Sequence, residues 1–237
     1  VSLSVALARQ GKRVLLIDAD SQADATKYLG VENPDELQNT LSAAMHCIIN
    51  DLPYKTGEYI QSHPEGLDFV PSSIDLSSVE LELVNAMSRE RILKTFLDDV
   101  RGKYDYALID CPPSLGMITL NALCAADGVL IPIQCEYFAL EGVSALMGTI
   151  QKVQKMNRHL AIEGVVLTML DARTNLGVQV AQEVRKVFKN KVYQTVIPRN
   201  VRLGEAPSHG LPISLYDPRS LGAQSYQQLA KEFLARE

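Results

Sequence analysis

Short apolar runs alternate along this chain with longer segments in which apolar residues recur at helical spacing. Two of these runs end in acidic residues and lead into a turn, RVLLIDADSQ at residues 13–22 and YALIDCPPSLG at residues 106–116. Apolar runs bounded by charge and then by Gly, Pro or Ser predict strands of a buried parallel sheet. Because such strands alternate with helices here, we expect an α/β fold: a doubly wound, mostly parallel sheet with helices on both faces.

The same pattern predicts the remaining elements. Residues 32–50 are typical of a loop followed by a short helix. Further strands are predicted at 67–71, 128–134, 162–170 and 192–197, and helices at 1–10, 75–87, 89–100, 115–126, 141–156, 176–189 and 220–237. Pro and Gly punctuate residues 198–218, which predicts an ordered functional loop. Because no repeat or low-complexity linker interrupts the sequence, we expect residues 1–237 to form one domain.

The acidic residues Asp18, Asp20 and Asp110 stand at the ends of the first two predicted strands. Ligands of open α/β sheets bind at the carboxyl edge of the strands, so we expect these carboxylates to converge on one crevice. Such a group suits a Mg²⁺ ion and a water molecule to be activated. The alternative is that each Asp only caps the helix that follows it.

Charge is distributed unevenly along the chain. The net charge is −5, but residues 151–237 contain 13 Lys and Arg against 7 Asp and Glu, a net of +6, which leaves −11 on residues 1–150. Such asymmetry indicates an anionic partner on one face. For the basic residues Arg185, Lys186, Lys189 and Lys191, a solvated helix face is an equally good interpretation.

The cysteines and the absence of targeting signals indicate the compartment. Cys47, Cys111, Cys124 and Cys135 lack metal-ligand spacing, so reduced core thiols are favoured over disulfides or a cluster. The sequence contains neither a signal peptide nor an apolar span of membrane length. We therefore expect a soluble, cytoplasmic protein.

Six motifs in order carry a resemblance to a known family. They are IDADSQ, IDCPPSLG, IPIQCEYFALEG, LTMLDARTNLG, VIPRNVRLGEAPSHG and YDPRS. The chain resembles, from Val1 to its C-terminus, the ParA/Soj family of deviant Walker-type partition ATPases. The resemblance implies a P-loop NTPase-like fold, ATP and Mg²⁺ as cofactors, and a homodimer that forms with ATP. It also implies nonspecific binding to double-stranded DNA, association with the nucleoid, and a ParB-like centromere-binding partner that stimulates hydrolysis.

One element that the family implies does not occur in this sequence. The family's phosphate-binding loop, K-G-G-V-G-K-T-T, follows its first strand and would lie before Val1. We therefore expect the chain to be incomplete at its N-terminus, without that strand and loop, and expect ATP hydrolysis of the intact protein. Two alternatives stay open: a membrane-associated division-site ATPase of the same superfamily, and a non-hydrolysing DNA-binding or regulatory fragment. The short C-terminal helix of mixed charge argues against the first.

The resemblance also implies roles for individual residues. Asp20 would position the attacking water, Asp18 would support the metal's water shell, and Asp110 would hold Mg²⁺ through water. In the turn that follows, Pro112 would line the nucleotide, although a purely structural proline turn is the alternative.

Two further segments are implicated by the resemblance. In the family, one segment packs against the adenine base, and the residues that match it here are Pro198, Arg199 and Asn200. Arg173 and Arg202 match the arginines with which the family grips DNA. Without the resemblance, each arginine is better interpreted as a salt-bridge partner.

The sequence departs from the family at several positions. Ser21, Ala23 and Asp24 stand where the first switch loop has Pro, Gly and Asn, which puts the geometry of that loop in question. Leu211 and Leu221 replace residues that are often basic in relatives, which would weaken a DNA-binding face.

Overall fold

A computed structural model describes residues 1–136 and 139–236, and six strands in this part of the chain form two sheets. The first sheet has the order β2-β3-β1-β4 and the second pairs β5 with β6. All pairings are parallel except that of β2 with β3. The strands are β1 Val14–Asp18, β2 Gln61–Ser62, β3 Asp68–Val70, β4 Tyr106–Asp110, β5 Gly128–Gln134 and β6 Ala161–Thr168.

Helices connect and cover these strands. They are α1 Ser2–Ala8, α2 Asp24–Tyr28, α3 Leu41–Ile49, α4 Leu76–Asn85, α5 Ile92–Asp98, α6 Met117–Ala125, α7 Ala139–Val153, α8 Asn175–Phe188, α9 Val201–Glu205, α10 Ile213–Tyr216 and α11 Leu221–Ala235. Single 3₁₀ turns occur at Pro34–Glu36, Thr56–Tyr59, Lys189–Lys191 and Ala206–His209. Most helices lie within a few residues of their predicted positions.

Strand β1 shows why helices cover both faces of the sheet. Its five residues are all buried. Leu15 and Ile17 pack into a core with residues of α3, α4, α5 and α6, whereas Val14 and Leu16 pack into a core with α1 and α11. Because successive side chains of a strand point to opposite faces, this alternation confirms the predicted doubly wound arrangement.

The predicted strand at residues 192–197 is wrong. Two isolated bridges occur along this segment, Val165 with Val192 and Leu170 with Pro198. The N–H groups of Tyr193 and Ile197 also donate to the backbone oxygens of Val165 (2.8 Å) and Leu167 (2.9 Å), but these contacts do not form a continuous ladder. The carboxylate of Glu232 in α11 accepts hydrogen bonds from the backbone N–H groups of Gln194 (2.7 Å) and Thr195 (2.8 Å). Those donors are therefore unavailable to a strand ladder.

The segment at residues 198–218 is ordered, as predicted, but it is mainly helical rather than a loop. It contains α9, the turn Ala206–His209 and α10. Its first helix is capped by Asn200, whose side chain accepts a hydrogen bond from Leu203 N. This local cap starts a helix in a stretch whose Pro and Gly content predicted irregular backbone.

All four cysteines are unpaired thiols, as expected. Cys124 and Cys135 are buried, whereas Cys111 is exposed in the turn after β4. Within residues 1–136 and 139–236, no helix is both long enough and apolar enough to cross a membrane.

Candidate active site

The two acidic strand ends lie side by side. The parallel register of β1 and β4 places Asp18 opposite Asp110. Just beyond, the N–H group of Ala19 donates a 2.8 Å hydrogen bond to the backbone oxygen of Asp110. The sequence prediction that both strands end at the same edge is therefore confirmed, and the backbones after the two strands are joined there.

Asp18 is the buried member of this pair, with 2% of its surface exposed. Its Oδ2 accepts hydrogen bonds from Thr26 N (2.8 Å) and Thr26 Oγ1 (2.6 Å), and its Oδ1 accepts one from Asp20 N (3.2 Å). Burial raises the pKa of Asp18 to about 6, with a smaller contribution from the charge of Asp110, although the hydrogen bonds oppose the shift. Because Thr26 lies in the first turn of α2, Asp18 caps that helix.

Asp20 lies in the loop between β1 and α2. Its Oδ1 accepts a 3.0 Å hydrogen bond from Gln22 N, which is the local turn that Asp side chains favour. The loop closes where Lys27 Nζ donates to the backbone oxygen of Gln22 at 2.6 Å. These contacts hold Asp20 close to Asp18 in a short, well-determined turn.

The altered loop keeps a backbone shape that suits glycine. Ala23, which replaces the family's Gly, has φ 55° and ψ 32° in the left-handed region. That conformation costs an L-residue roughly 1–2 kcal/mol. The loop therefore holds a strained residue in place, and the hydrogen bonds of Asp18 and Lys27 offset the strain.

Thr26 is a residue that the sequence analysis missed. Its fully buried hydroxyl donates to Asp18 and accepts a 2.9 Å hydrogen bond from Ser72 N, after β3. It thereby joins the ends of β1 and β3 to the start of α2. The sequence did contain a signal for this role, because Thr26 is the third residue of a helix that follows an acidic strand end.

Asp110 differs from Asp18 because it is exposed. Among the described residues, no group of three His, Cys, Asp or Glu side chains is placed to hold a metal ion. Asp18 and Asp110 lie at one sheet edge, but the Asp18 carboxylate turns inward to Thr26 while Asp110 is exposed. A shared Mg²⁺ site at this edge stays a prediction.

A single exposed carboxylate is nevertheless suited to one kind of metal site. Mg²⁺ is commonly held by one or two carboxylates, with waters and substrate phosphates completing its shell. Asp110 fits that role, and the adjoining turn carries Pro112 and Pro113, which have no N–H groups.

The segment expected to wall a base is anchored beside β6. Pro198 forms the bridge with Leu170, and Arg199 N donates to the Leu170 backbone oxygen at 3.0 Å. The Arg199 guanidinium pairs with Glu136 at 2.8 Å. The Asn200 carbonyl oxygen caps α9 and accepts from Leu203 N at 3.4 Å.

Both arginines expected at DNA are in surface salt bridges. Arg173 grips Asp171 through Nε (2.9 Å) and Nη2 (2.7 Å), and these hydrogen bonds lower the pKa of Asp171 to about 2. Arg202 pairs with Glu205 at 2.9 Å and with Asp217 at 3.5 Å. In this structure both arginines are therefore salt-bridge partners. The Arg173 side chain is nevertheless 88% exposed and so accessible to solvent.

Comparison with known proteins shows which family this chain resembles. A family model described as an AAA domain matches residues 1–162. The sporulation initiation inhibitor protein Soj of Bacillus subtilis (strain 168) is 55% identical over 236 residues, which covers 99% of this chain and 91% of the relative. The chromosome-partitioning ATPase Soj of Treponema pallidum (strain Nichols) is 46% identical over 238 residues, with coverage of 100% and 91%.

A solved structure shares the fold. Cobyrinic acid a,c-diamide synthase from Mycobacterium smegmatis, with bound ADP and magnesium, superimposes with a TM-score of 0.83 and 34% identity over 98% of this chain and 86% of that chain. The fold is thus P-loop NTPase-like, as the resemblance implied. Given the family model and relatives aligned over nearly every residue, this chain belongs to the ParA/Soj family of chromosome-partitioning ATPases.

Proposed function

We propose that this protein hydrolyses ATP to drive DNA segregation, as a homodimer that forms with ATP. The observation that carries the proposal is the pairing of Asp18 with Asp110 at the ends of β1 and β4. Asp20 follows Asp18 by two residues, so the third carboxylate begins the loop at the same edge. Phosphoryl transfer to water needs little beyond orientation of the nucleophile and stabilisation of charge. Carboxylates at an open sheet edge are suited to both tasks.

ATP and Mg²⁺ are the proposed cofactors, and the related synthase with ADP and magnesium supports them. Asp110 would hold the ion through water, and the ion would supply positive charge at the phosphates. Asp18 lies beside Asp110 and adds negative charge that favours a cation and its water shell. Asp18 also holds the following loop through Thr26.

Asp20 is the proposed catalytic residue. Its backbone N–H is bound to Asp18, and its side chain accepts from Gln22 N, so the carboxylate is oriented before any substrate arrives. It would accept a hydrogen bond from the attacking water and align it with the phosphorus atom.

The nucleotide base would lie against Pro198, Arg199 and Asn200, with Pro112 along the phosphate side. Because the Asn200 carbonyl oxygen caps α9, its Nδ2 hydrogens are the group that would donate to the base. The Arg199 guanidinium, paired with Glu136, would cover one side of the ring.

Arg173 and Arg202 are the proposed contacts to double-stranded DNA. Exposed ion pairs stabilise proteins little, so each guanidinium can exchange its carboxylate for a DNA phosphate. Contacts to phosphate carry no sequence information, which supports nonspecific binding and association with the nucleoid. A ParB-like centromere-binding protein would stimulate hydrolysis and so release the DNA.

Turnover of ATP tests this proposal. We would extend the chain before Val1 by a strand and a K-G-G-V-G-K-T-T loop. Within the described strands, β4 pairs with β1 alone and β5 with β6 alone, so their other edges are open to an added strand. The extended protein should bind ATP with Mg²⁺, dimerise and hydrolyse it.

The critical variant is Asp20→Ala in that extended protein. It should retain ATP binding and dimerisation but lose turnover. Glu32→Ala is the matched control, because Glu32 is an exposed carboxylate that follows α2 and lies outside the Asp20 loop. Equal hydrolysis by the parent and Asp20→Ala would assign Asp20 to a turn without a catalytic role.

A further inference from the structure

We propose that Glu80 of α4 is a positioning residue for the turn at residues 111–116, which joins Asp110 to α6. The inference extends the proposed function, since the turn begins at the residue proposed to hold Mg²⁺. It identifies a residue outside the family motifs that lies far in sequence from both Asp18 and Asp110.

Glu80 supplies the N-terminal cap that α6 lacks. The N-cap position of α6 is Gly116, which makes no side-chain capping bond. Instead, Met117 N donates a 2.8 Å hydrogen bond to Glu80 Oε1, across 37 residues of sequence. A carboxylate at a helix start satisfies an unpaired N–H group and interacts favourably with the helix dipole.

The capping by Glu80 leaves Asp110 available. At the end of β1, Asp18 is used to cap the following helix, through its bonds to Thr26. After β4, Glu80 caps the following helix instead, so the exposed Asp110 carboxylate need not turn toward α6. The different tasks of the two strand-end carboxylates follow from where each helix finds its cap.

Gly116 leaves space for this contact. A Cβ atom built on Gly116 would overlap the Glu80 carboxylate. Since its φ of −79° is one that any residue adopts, the value of glycine here is the room that it leaves for the Glu80 carboxylate beside Met117 N. The carboxylate itself is held by α4, whose Val79 and Leu83 are buried in the same core as Ile118 of α6.

The turn is fixed at both ends and has little freedom between them. At its start, Ala19 N binds the Asp110 backbone oxygen at 2.8 Å. Near its end, Thr119 Oγ1 donates to the Ser114 backbone oxygen at 2.7 Å. The two prolines between them have restricted φ angles. Movement at Gly116 and Met117 is therefore transmitted toward Asp110 and Pro112.

The contact itself is tested by amide hydrogen exchange in the chain from Val1, which needs no activity. Glu80→Ala should speed exchange of the Met117 amide by about tenfold or more, because a hydrogen bond to a charged acceptor is lost. Glu80→Gln keeps a carbonyl acceptor and should stay near the parent rate. The control is Glu82→Ala, on the same helix, whose carboxylate pairs with His46 instead. Unchanged Met117 exchange in Glu80→Ala would overturn the proposal.

The role in the reaction is tested in the extended protein used for ATP turnover. Glu80→Ala should lower kcat about tenfold with KM for ATP nearly unchanged, and Glu80→Gln should restore most of it. Faster Met117 exchange with parental kcat would also overturn the proposal, since the turn would not serve the reaction. If the parent protein bound ATP but did not hydrolyse it, the proposed function would fail and the positioning role with it, whereas Met117 exchange would still show the cap.

Discussion

Gly30 and Gly210 pack backbone against backbone. A Cβ on Gly210 would lie 3.0 Å from the Gly30 Cα, and one on Gly30 would lie 3.2 Å from the Gly210 oxygen. Both residues have positive φ, +87° and +60°. Gly30 follows α2, which begins after the Asp20 loop, and Gly210 follows the turn Ala206–His209. The contact therefore joins the C-terminal end of α2, the helix that follows the Asp20 loop, to the segment that contains Arg202.

This contact makes a prediction about stability. Gly30→Ala should destabilise the protein by roughly 2–3 kcal/mol, from left-handed backbone strain and crowding against Gly210. Gly102→Ala is the matched control, because Gly102 has φ +89° but nothing within 4 Å of its Cβ position. It should cost only the strain, about 1–2 kcal/mol. Urea unfolding would measure both, and equal losses would mean that the close approach contributes nothing.

The second prediction concerns Thr26. Thr26→Val removes the hydroxyl that donates to Asp18 and accepts from Ser72 N, and leaves both groups buried without that partner. We expect a loss of roughly 2–4 kcal/mol in unfolding free energy. Thr26→Ser keeps the hydroxyl and should lose much less. If Val and Ser variants were equally stable in thermal or urea unfolding, the hydrogen bonds would not be what holds the loop.

The third prediction is a pH dependence. The pKa of Asp18 is raised by burial to about 6 in the folded protein, above the ordinary value of 3.8 for an Asp carboxyl. Between these values the folded state binds more protons than the unfolded state, so the Asp18 contribution to stability falls as pH rises from about 4 to 6. The fall should be roughly 1–3 kcal/mol.

Urea unfolding at several pH values, without divalent cations, would check this slope. Asp18→Asn should flatten the profile between pH 4 and 6 whatever its effect on overall stability. Asp24→Asn, at an exposed position, should leave the slope unchanged. The pKa of Asp171 is lowered to about 2, so its contribution to stability has the opposite dependence on pH. That contribution is lost only as the pH falls below the range measured here. A parental slope that persisted in Asp18→Asn would assign it to other groups.

The fourth prediction concerns DNA. Replacing both Arg173 and Arg202 with Ala in the extended protein should abolish retention on nonspecific DNA without reducing ATP-dependent dimerisation. Parental binding should weaken linearly on a log–log plot against salt, because phosphate contacts release counterions. Arg101→Ala is the control, an exposed arginine at 3.9 Å from Asp98. Gel shifts that showed unchanged retention in the double variant would place the DNA surface elsewhere.

Much of the fold was predictable because its signals are local. A strand buried on both faces is a continuous apolar run, so VLLID could be recognised without its neighbours, and the two Asp residues at the strand ends marked the same sheet edge. The local pattern at residues 192–197 predicts a strand and contains no sign that the strand fails to form. Two of its backbone donors, Gln194 N and Thr195 N, bind Glu232, which lies almost 40 residues later and becomes a neighbour only when α11 packs.

By itself, the sequence determined the α/β class, the edge where Asp18 and Asp110 meet and, through its motifs, the family. Only the tertiary structure decided what each carboxylate does there. Asp18 turns inward because Thr26 offers it two donors, while Asp110 stays exposed because Glu80 caps the next helix in its place. Chain periodicity specifies which face of an element is buried, but a cap provided from 37 residues away depends on which helices come to lie together.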